Sequence, residues 1–322
     1  MVTVGVIGLG SMGKNHLRVL SNMDGVDEVV VFDTDTSVEG LRFGRLVGSL
    51  EEVVAARPHY CVISTPSLDH LRTATVLIDE RIPFLVEKPV AGTLADARQV
   101  MELAAAVPGL ATGVGHVERF NPAAFELWHR IREGVVGDVI AVSTARRGPE
   151  PVRWIDTGVT TDLAVHDIDL TRWITGSEYA TLSAVGSGGA RSDHESLVRI
   201  TAKLDSGIIV DHSVDWMTPV KVREVTVLGT AGMLSANLLT ADLTFYGKGE
   251  YDIRWPQLAQ LRGGAEGVIT RYALQKVEPL RLEHEAMLRK VAGEDGDPMA
   301  ELIDGVLAME AVARVLEELQ PG

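Results

Sequence analysis

The stretch Val2-Thr3-Val4-Gly5-Val6-Ile7-Gly8-Leu9-Gly10-Ser11-Met12-Gly13 decides the fold. Six mostly apolar, β-branched residues read as a buried strand, and three glycines follow at the spacing G-x-G-x-x-G. Beyond them Met12, His16, Leu17 and Leu20 fall on one face of a helix. A first glycine permits a tight strand-to-helix turn, a second lets a pyrophosphate approach the backbone, and a third lets helix and strand pack closely. The N–H groups at the start of that helix would then meet the phosphates. A second apolar run, Val29-Val30-Val31-Phe32, ends in Asp33, about 20 residues past Gly13. A carboxylate there accepts from a ribose 2′-hydroxyl and repels a 2′-phosphate. Thr34, Asp35, Thr36 and Ser37 bring no base, whereas Arg42 and Arg45 come later. The expectation is an NAD site at Gly8, Gly10, Ser11, Met12, Gly13 and Asp33, with NADP not excluded.

Working outward, the first third alternates strand-like runs (Val2–Ile7, Glu28–Asp33, Tyr60–Ser64, Phe84–Glu87, Leu110–Val114) with helical patterns. Ser49 with Glu52 forms a capping box, Leu68–Asp79 is helical, and Thr93 caps Leu94–Ala106. Repeated β-α-β units predict a parallel sheet with helices on both faces. The pattern changes near Phe120. Asn121-Pro122 starts a helix over Ala123–Arg132. Longer alternating segments follow at Asp138–Arg146, Leu182–Ser187, Leu197–Leu204, Ile208–Trp216 and Val222–Leu228, with short glycine-bearing turns. They predict a large, mostly antiparallel sheet. Two helices close the chain, near Leu280–Val291 and Met299–Leu319, and Thr240–Val277 carries no clear pattern. The expected organisation is α/β, with a dinucleotide-binding doubly wound domain over 1–119 and an open-sheet α/β domain over 120–322.

The chain has 322 residues, 46% of them hydrophobic, enough for two full cores. A formal charge of −15 argues against a nucleic-acid partner, because phosphate backbones need a basic footprint. No apolar run reaches the length of a membrane span, and the N-terminus enters a strand without a basic leader. The one cysteine, Cys61, lies in an apolar run and reads as a buried, inert thiol. A cytoplasmic location fits these features.

Two segments carry candidate chemistry. Glu87-Lys88-Pro89 closes the strand Phe84-Leu85-Val86 at the edge where ligands of open α/β sheets bind. Lys88 is there either a surface charge or a site residue. Asp162-Leu163-Ala164-Val165-His166-Asp167-Ile168-Asp169 places Asp162 and His166 at i and i+4 if it is helical. A carboxylate so placed orients an imidazole. A capping aspartate with a satisfied histidine is the plain alternative, and a metal site a third. No second histidine stands at i,i+4 ligand spacing to His166, so no metal is expected.

These motifs, with Ser64-Thr65-Pro66-Ser67-Leu68-Asp69-His70, resemble the glucose-fructose oxidoreductase / inositol dehydrogenase (Gfo/Idh/MocA) family along nearly the whole chain. The resemblance implies an NAD-dependent dehydrogenase with Lys88 and His166 as catalytic residues and Asp162 as partner of His166 or of the substrate. It places Ser64, Thr65, Pro66, His70, Glu87 and Lys88 along the cofactor, and implies a homodimer or homotetramer built on the open sheet. Gly115-His116-Val117-Glu118-Arg119-Phe120-Asn121-Pro122, Arg146-Arg147-Gly148-Pro149 and the Asp162–Asp169 segment resemble UDP-N-acetylglucosamine 3-dehydrogenases. That implies a sugar or nucleotide-sugar substrate near Lys88, His116, Arg119, Asn121, Asp162 and His166. Arg146, Arg147 and Arg153 would face its diphosphate, or form a solvated strand edge. An inositol or free-sugar dehydrogenase is one alternative, and a non-catalytic NAD-binding regulator of the same fold another.

Overall fold

The computed structural model describes residues 1–35, 44–150, 157–188, 194–249, 266–294 and 297–320. It falls into two compact units. The first comprises Met1–Phe120 and Val277–Glu310, and the second Asn121–Lys276 and Ala311–Gly322.

The first unit runs β1 (Thr3–Ile7), α1 (Ser11–Leu20), β2 (Glu28–Phe32), β3 (Arg45–Leu46), α2 (Leu50–Ala55), β4 (Tyr60–Ile63), α3 (His70–Asp79), β5 (Phe84–Val86), α4 (Leu94–Ala105) and β6 (Thr112–Val114). Its six parallel strands are ordered β3-β2-β1-β4-β5-β6. The direction of winding reverses between β1 and β4, which opens a crevice at their C-terminal ends. β1, β4 and β5 are buried on both faces, so they read as unbroken apolar runs rather than as alternation. Helix starts follow their caps: Ser49 accepts from the Glu52 N–H and Thr93 from the Asp96 N–H. The Leu68–Asp79 helix is a 3₁₀ turn over Ser67–Asp69 followed by α3.

The second unit runs α5 (Pro122–Arg132), β7 (Val139–Pro149), α6 (Val165–Thr175), β8 (Tyr179–Gly188), β9 (Glu195–Leu204), β10 (Ile209–Asp215), β11 (Met217–Gly229), β12 (Gly232–Asn237), β13 (Asp242–Lys248) and β14 (Glu266–Tyr272). The eight strands are ordered β14-β13-β12-β11-β7-β10-β9-β8, antiparallel except for β10 beside β7. α5 packs on β12 and β13, α6 on β7, and the two helices meet through stacked Trp128 and Trp173, 5.0 Å between ring centroids. On the opposite face Ile209, Ala141 and Leu228 lie side by side across β10, β7 and β11, with Ile209 and Leu228 exposed.

The chain ends with α7 (Pro279–Val291) and α8 (Leu302–Glu318). Here the structure departs from the expected division at 120–322, because 277–310 belong to the first unit. Leu280, Ala286, Met287 and Met299 complete its core beside Leu17, Leu20 and Tyr60. The unpatterned Thr240–Val277 contains β13, in which Leu243 is the single fully buried residue, and β14, whose described residues are largely exposed. Without a buried face there is no alternation to read.

Candidate active site

The glycine turn in the first unit has the three separate properties a dinucleotide requires. Gly8 has φ +93°, and a Cβ there would strike the Ser64–Thr65 backbone. A Cβ at Gly13 would overlap the Gly8 carbonyl oxygen, so helix and strand touch. A Cβ at Gly10 meets nothing within 4 Å. Gly10 and Ser11 are exposed, and no side chain caps the N-terminus of α1. The uncapped N–H groups therefore border the open space at Gly10, and such a helix start favours anions. Asp33, at the end of β2, accepts from the N–H groups of Leu9 and Asp35. It braces the turn and keeps acceptor capacity for a ribose hydroxyl. Met12 lies half-buried in the first turn of α1. Thr36, Ser37 and Arg42 lie outside the described residues, and Arg45 pairs with Glu28 at 2.7 Å.

The neighbouring strand ends hold the remaining first-unit candidates. The Ser64 hydroxyl donates to the Gly8 carbonyl at 2.9 Å, tying β4 to the glycine turn. Thr65 leaves its Oγ1 buried with no hydrogen-bond partner, and Pro66 precedes the 3₁₀ turn. His70, expected along the nicotinamide, has another task. Its ring is 1% exposed, with Nδ1 3.0 Å from the Pro89 carbonyl and Nε2 2.9 Å from that of Thr65. Both nitrogens serve the main chain, and burial lowers its pKa despite those carbonyls.

Lys88 is half-buried just past β5, and its peptide bond to Pro89 is cis. Its N–H donates to Glu87 Oε2 at 3.2 Å. Glu87 Oε1 lies 2.8 Å from His16 Nε2, and His16 Nδ1 lies 3.0 Å from His284 Nε2. His284 Nδ1 in turn lies 2.8 Å from the Tyr60 hydroxyl. Burial alone would push Glu87 up, but the hydrogen bond with His16 and the neighbouring Lys88 hold it below the ordinary carboxylate range. Sequence reading took His16 only as part of a helix face and passed over Tyr60 and His284. The available signal was an imidazole in an otherwise apolar stripe. Two expected substrate residues are engaged within the first unit. Arg119 is 4% exposed and donates to Asp304 at 3.2 Å. His116 is buried just after β6.

In the second unit Asn121 caps α5, accepting from the Ala123 N–H and donating to the Leu238 carbonyl. Both ends of its amide are thereby engaged in the fold rather than offered to a substrate. Asp162 lies in a wide π turn, Thr160–Ala164, and His166 in the first turn of α6; both are half-buried. The segment is therefore not one continuous α-helix. Glu195 of β9 anchors its start by accepting from the Thr160 N–H at 3.0 Å. Single π turns of this kind often occur at functional sites.

Arg146 and Arg147, neighbouring residues of β7, point to opposite faces of the sheet. Arg146 is 3% exposed, and its Nε donates to Asp167 at 2.8 Å. Thr144 donates to the same carboxylate and meets His212 at 2.8 Å, and Tyr179 lies 2.7 Å from the far side of that ring. Burial lowers the His212 pKa. Arg147, half-buried, lies on the opposite, open face, where its neighbours in register are Asp215 and Val222. Arg153 lies outside the described residues. Among the described residues no three His, Cys, Asp or Glu side chains group as metal ligands, and no helix is long and apolar enough to cross a membrane. Cys61 is free and buried.

Two family models match this chain. Residues 2–116 match the oxidoreductase family with NAD-binding Rossmann fold, and 126–235 match the GFO/IDH/MocA C-terminal domain. The chain belongs to the Gfo/Idh/MocA oxidoreductase family. This Gfo/Idh/MocA chain is 28% identical to inositol 2-dehydrogenase 2 of Saccharopolyspora erythraea, over 65% of each chain. The match thus spans just under two thirds of that relative's length. It is also 28% identical to inositol 2-dehydrogenase 1 of the same organism, over 99% of this chain and 95% of the other. Among solved structures, UDP-N-acetylglucosamine 3-dehydrogenase GnnA from Acidithiobacillus ferrooxidans superposes with a TM-score of 0.81, covering 98% and 97% of the two chains at 22% identity. At that identity the likeness is one of fold. The first unit is accordingly an NAD-binding Rossmann fold.

Proposed function

We propose that this protein is an NAD-dependent dehydrogenase of a ring secondary alcohol in a polyol or sugar. The observation that carries the reading is an uncapped α1 N-terminus opening past Gly10 at the same sheet edge that ends in Glu87 and Lys88. NAD, when bound, supplies the hydride acceptor. The chain must then take the hydroxyl proton and stabilise the developing alkoxide. His166 has the intrinsic pKa for the proton transfer near neutral pH, Asp162 orients its ring, and Lys88 donates a hydrogen bond to the reacting oxygen. Asp33 favours NAD over NADP.

The nucleotide-sugar reading rests on the resemblance of the segments 115–122, 146–149 and 162–169, and it would set Arg146, Arg147 and Arg153 against the diphosphate. With Arg146 committed to Asp167, we place an uncharged inositol or sugar first. The exposed Ile209 and Leu228 on the free sheet face support a homodimer or homotetramer, and a cytoplasmic location is part of the same reading. The test is NADH absorbance after adding myo-inositol, free sugars or UDP-N-acetylglucosamine with NAD. Turnover of myo-inositol or a free sugar supports the proposal. Turnover of the nucleotide sugar alone removes the substrate assignment, and NAD binding without any turnover supports a non-catalytic regulator.

A further inference from the structure

The buried row Tyr60, His284, His16 and Glu87 takes no part in the chemistry described so far. It joins β4, α7, α1 and the end of β5, all within the first unit. Tyr60, His284 and His16 are each 0% exposed, and Glu87 is 6% exposed. Successive polar atoms lie 2.8, 3.0 and 2.8 Å apart. Proton counting restricts how such a row can be filled. Burial holds His284 neutral, so it carries one ring proton. The Tyr60 hydroxyl lies against His284 Nδ1, and a buried hydroxyl proton without an acceptor is costly. One arrangement satisfies every proton. Tyr60 donates to His284 Nδ1, His284 Nε2–H donates to His16 Nδ1, and His16 Nε2–H donates to Glu87. The reverse arrangement strands the tyrosine proton and makes His16 an imidazolium.

The Glu87 carboxylate therefore receives from His16 on one oxygen and from the Lys88 N–H on the other. His70 meets the next carbonyl, that of Pro89, so the Lys88 peptide is held on both flanks. A Cβ at Gly115 would lie 3.0–3.1 Å from the Glu87 carboxyl, so the β6 end closes the pocket. The charged and titratable groups around Glu87 are His16 from α1, Glu283 from α7, His70 from α3 and Lys88 beside it, with His284 of α7 behind His16. Glu283 is fully buried, its carboxyl oxygens have no hydrogen-bond partner, and burial with the nearby Glu87 charge keeps it protonated.

We propose that Tyr60, His284 and His16 form a one-way hydrogen-bond chain that holds Glu87 as a carboxylate beneath the Lys88 peptide, making all three positioning residues for Lys88. The inference rests on the role given to Lys88 above, but its test uses no substrate. A failed substrate screen therefore leaves it standing, and a wrong proton pattern sinks it alone.

The test is histidine side-chain ¹⁵N–¹H spectroscopy of the full chain from pH 6 to 9, joined to competitive acetylation of Lys88 read by mass spectrometry. The expected wild-type result is His16 and His284 both as neutral Nε2–H tautomers at every pH. In Tyr60→Phe the direction is no longer enforced, and a pH-dependent mixture of tautomers appears. In His16→Leu, Glu87 loses its donor and takes up a proton. The acetylation rate of Lys88 at pH 8 then changes at least about threefold, because the peptide that carries it is no longer held. His16→Gln, whose amide can donate to Glu87, returns it to near the wild-type value. An imidazolium His16, an Nδ1–H tautomer at either ring in the wild type, or a Tyr60→Phe spectrum unchanged across the pH range overturns the proposal. Unaltered Lys88 acetylation in a folded His16→Leu overturns it equally.

Discussion

Replacing Arg146 with Met separates a structural role from a substrate-binding one. The Arg146 and Asp167 side chains are 4% and 2% exposed, with 2.8 Å between Nε and Oδ1. Two unit charges about 4 Å apart attract by roughly 4 kcal/mol at an effective dielectric of about 20, and desolvation of both offsets most of this. Removing only the arginine leaves the carboxylate buried beside the Thr144 hydroxyl that donates to it, and breaking a buried pair this way costs about 3–5 kcal/mol. For a unit of this size each kcal/mol lowers Tm by roughly 2–4 °C, so Arg146→Met should melt some 6–20 °C below wild type. Thermal unfolding followed by circular dichroism reads this directly. Arg146→Met/Asp167→Leu removes both charges and should recover most of the loss, since an apolar pair often matches a buried ionic one. A single variant melting within about 2 °C of wild type would refute the buried-pair reasoning. It would return Arg146 to the candidates for an anionic substrate group.

Three further outcomes follow from the same geometry. Gly10→Val places a side chain in space the protein leaves open, so NAD affinity should fall at least about tenfold by calorimetry with Tm nearly unchanged; unaltered affinity would exclude the α1 N-terminus as the pyrophosphate site. Glu283 has its pKa raised by burial and by Glu87. Below about pH 4.3 both folded and unfolded chains hold its proton; above it only the folded chain does, so its contribution to stability declines by about 1.4 kcal/mol per pH unit until the folded group ionises. Glu283→Gln should therefore gain in Tm over wild type as pH rises from 5 to 8, and a pH-independent difference would contradict a protonated Glu283. Asp33→Ser should narrow the preference for NAD over NADP in calorimetric titrations, and an unchanged ratio would count against the ribose contact.

Where burial imposes a pattern, the sequence was readable. β1, β4 and β5 are sandwiched between helix layers, and their apolar runs with the glycine spacing led directly to a parallel sheet. Asn121-Pro122, Ser49 and Thr93 announced helix starts because capping is local chemistry. β13 and β14 went unread, since β13 buries Leu243 alone in full and β14 is largely exposed, so neither carries a clear alternation. The return of α7 to the first unit is a long-range packing choice, and Leu280 and Met287 do not reveal their partners from spacing alone. At the candidate site the residue types were apparent, but their assignments were not. Arg119, Asn121, Arg146 and His70 read as ligand contacts because polar residues near a strand or helix end look alike whether they meet a ligand or another part of the chain. Tyr60 and His284 stand 224 positions apart, and only folding joins them.

The central claim is that Lys88 and His166 carry out alcohol oxidation with NAD. Its most direct measurement is steady-state NADH formation from myo-inositol by wild type, Lys88→Met and His166→Ala, with NAD affinity measured on each. The account predicts that kcat falls about 10²–10⁴-fold in both variants while NAD binding stays within about threefold of wild type. Either variant turning over at a near wild-type rate would contradict it.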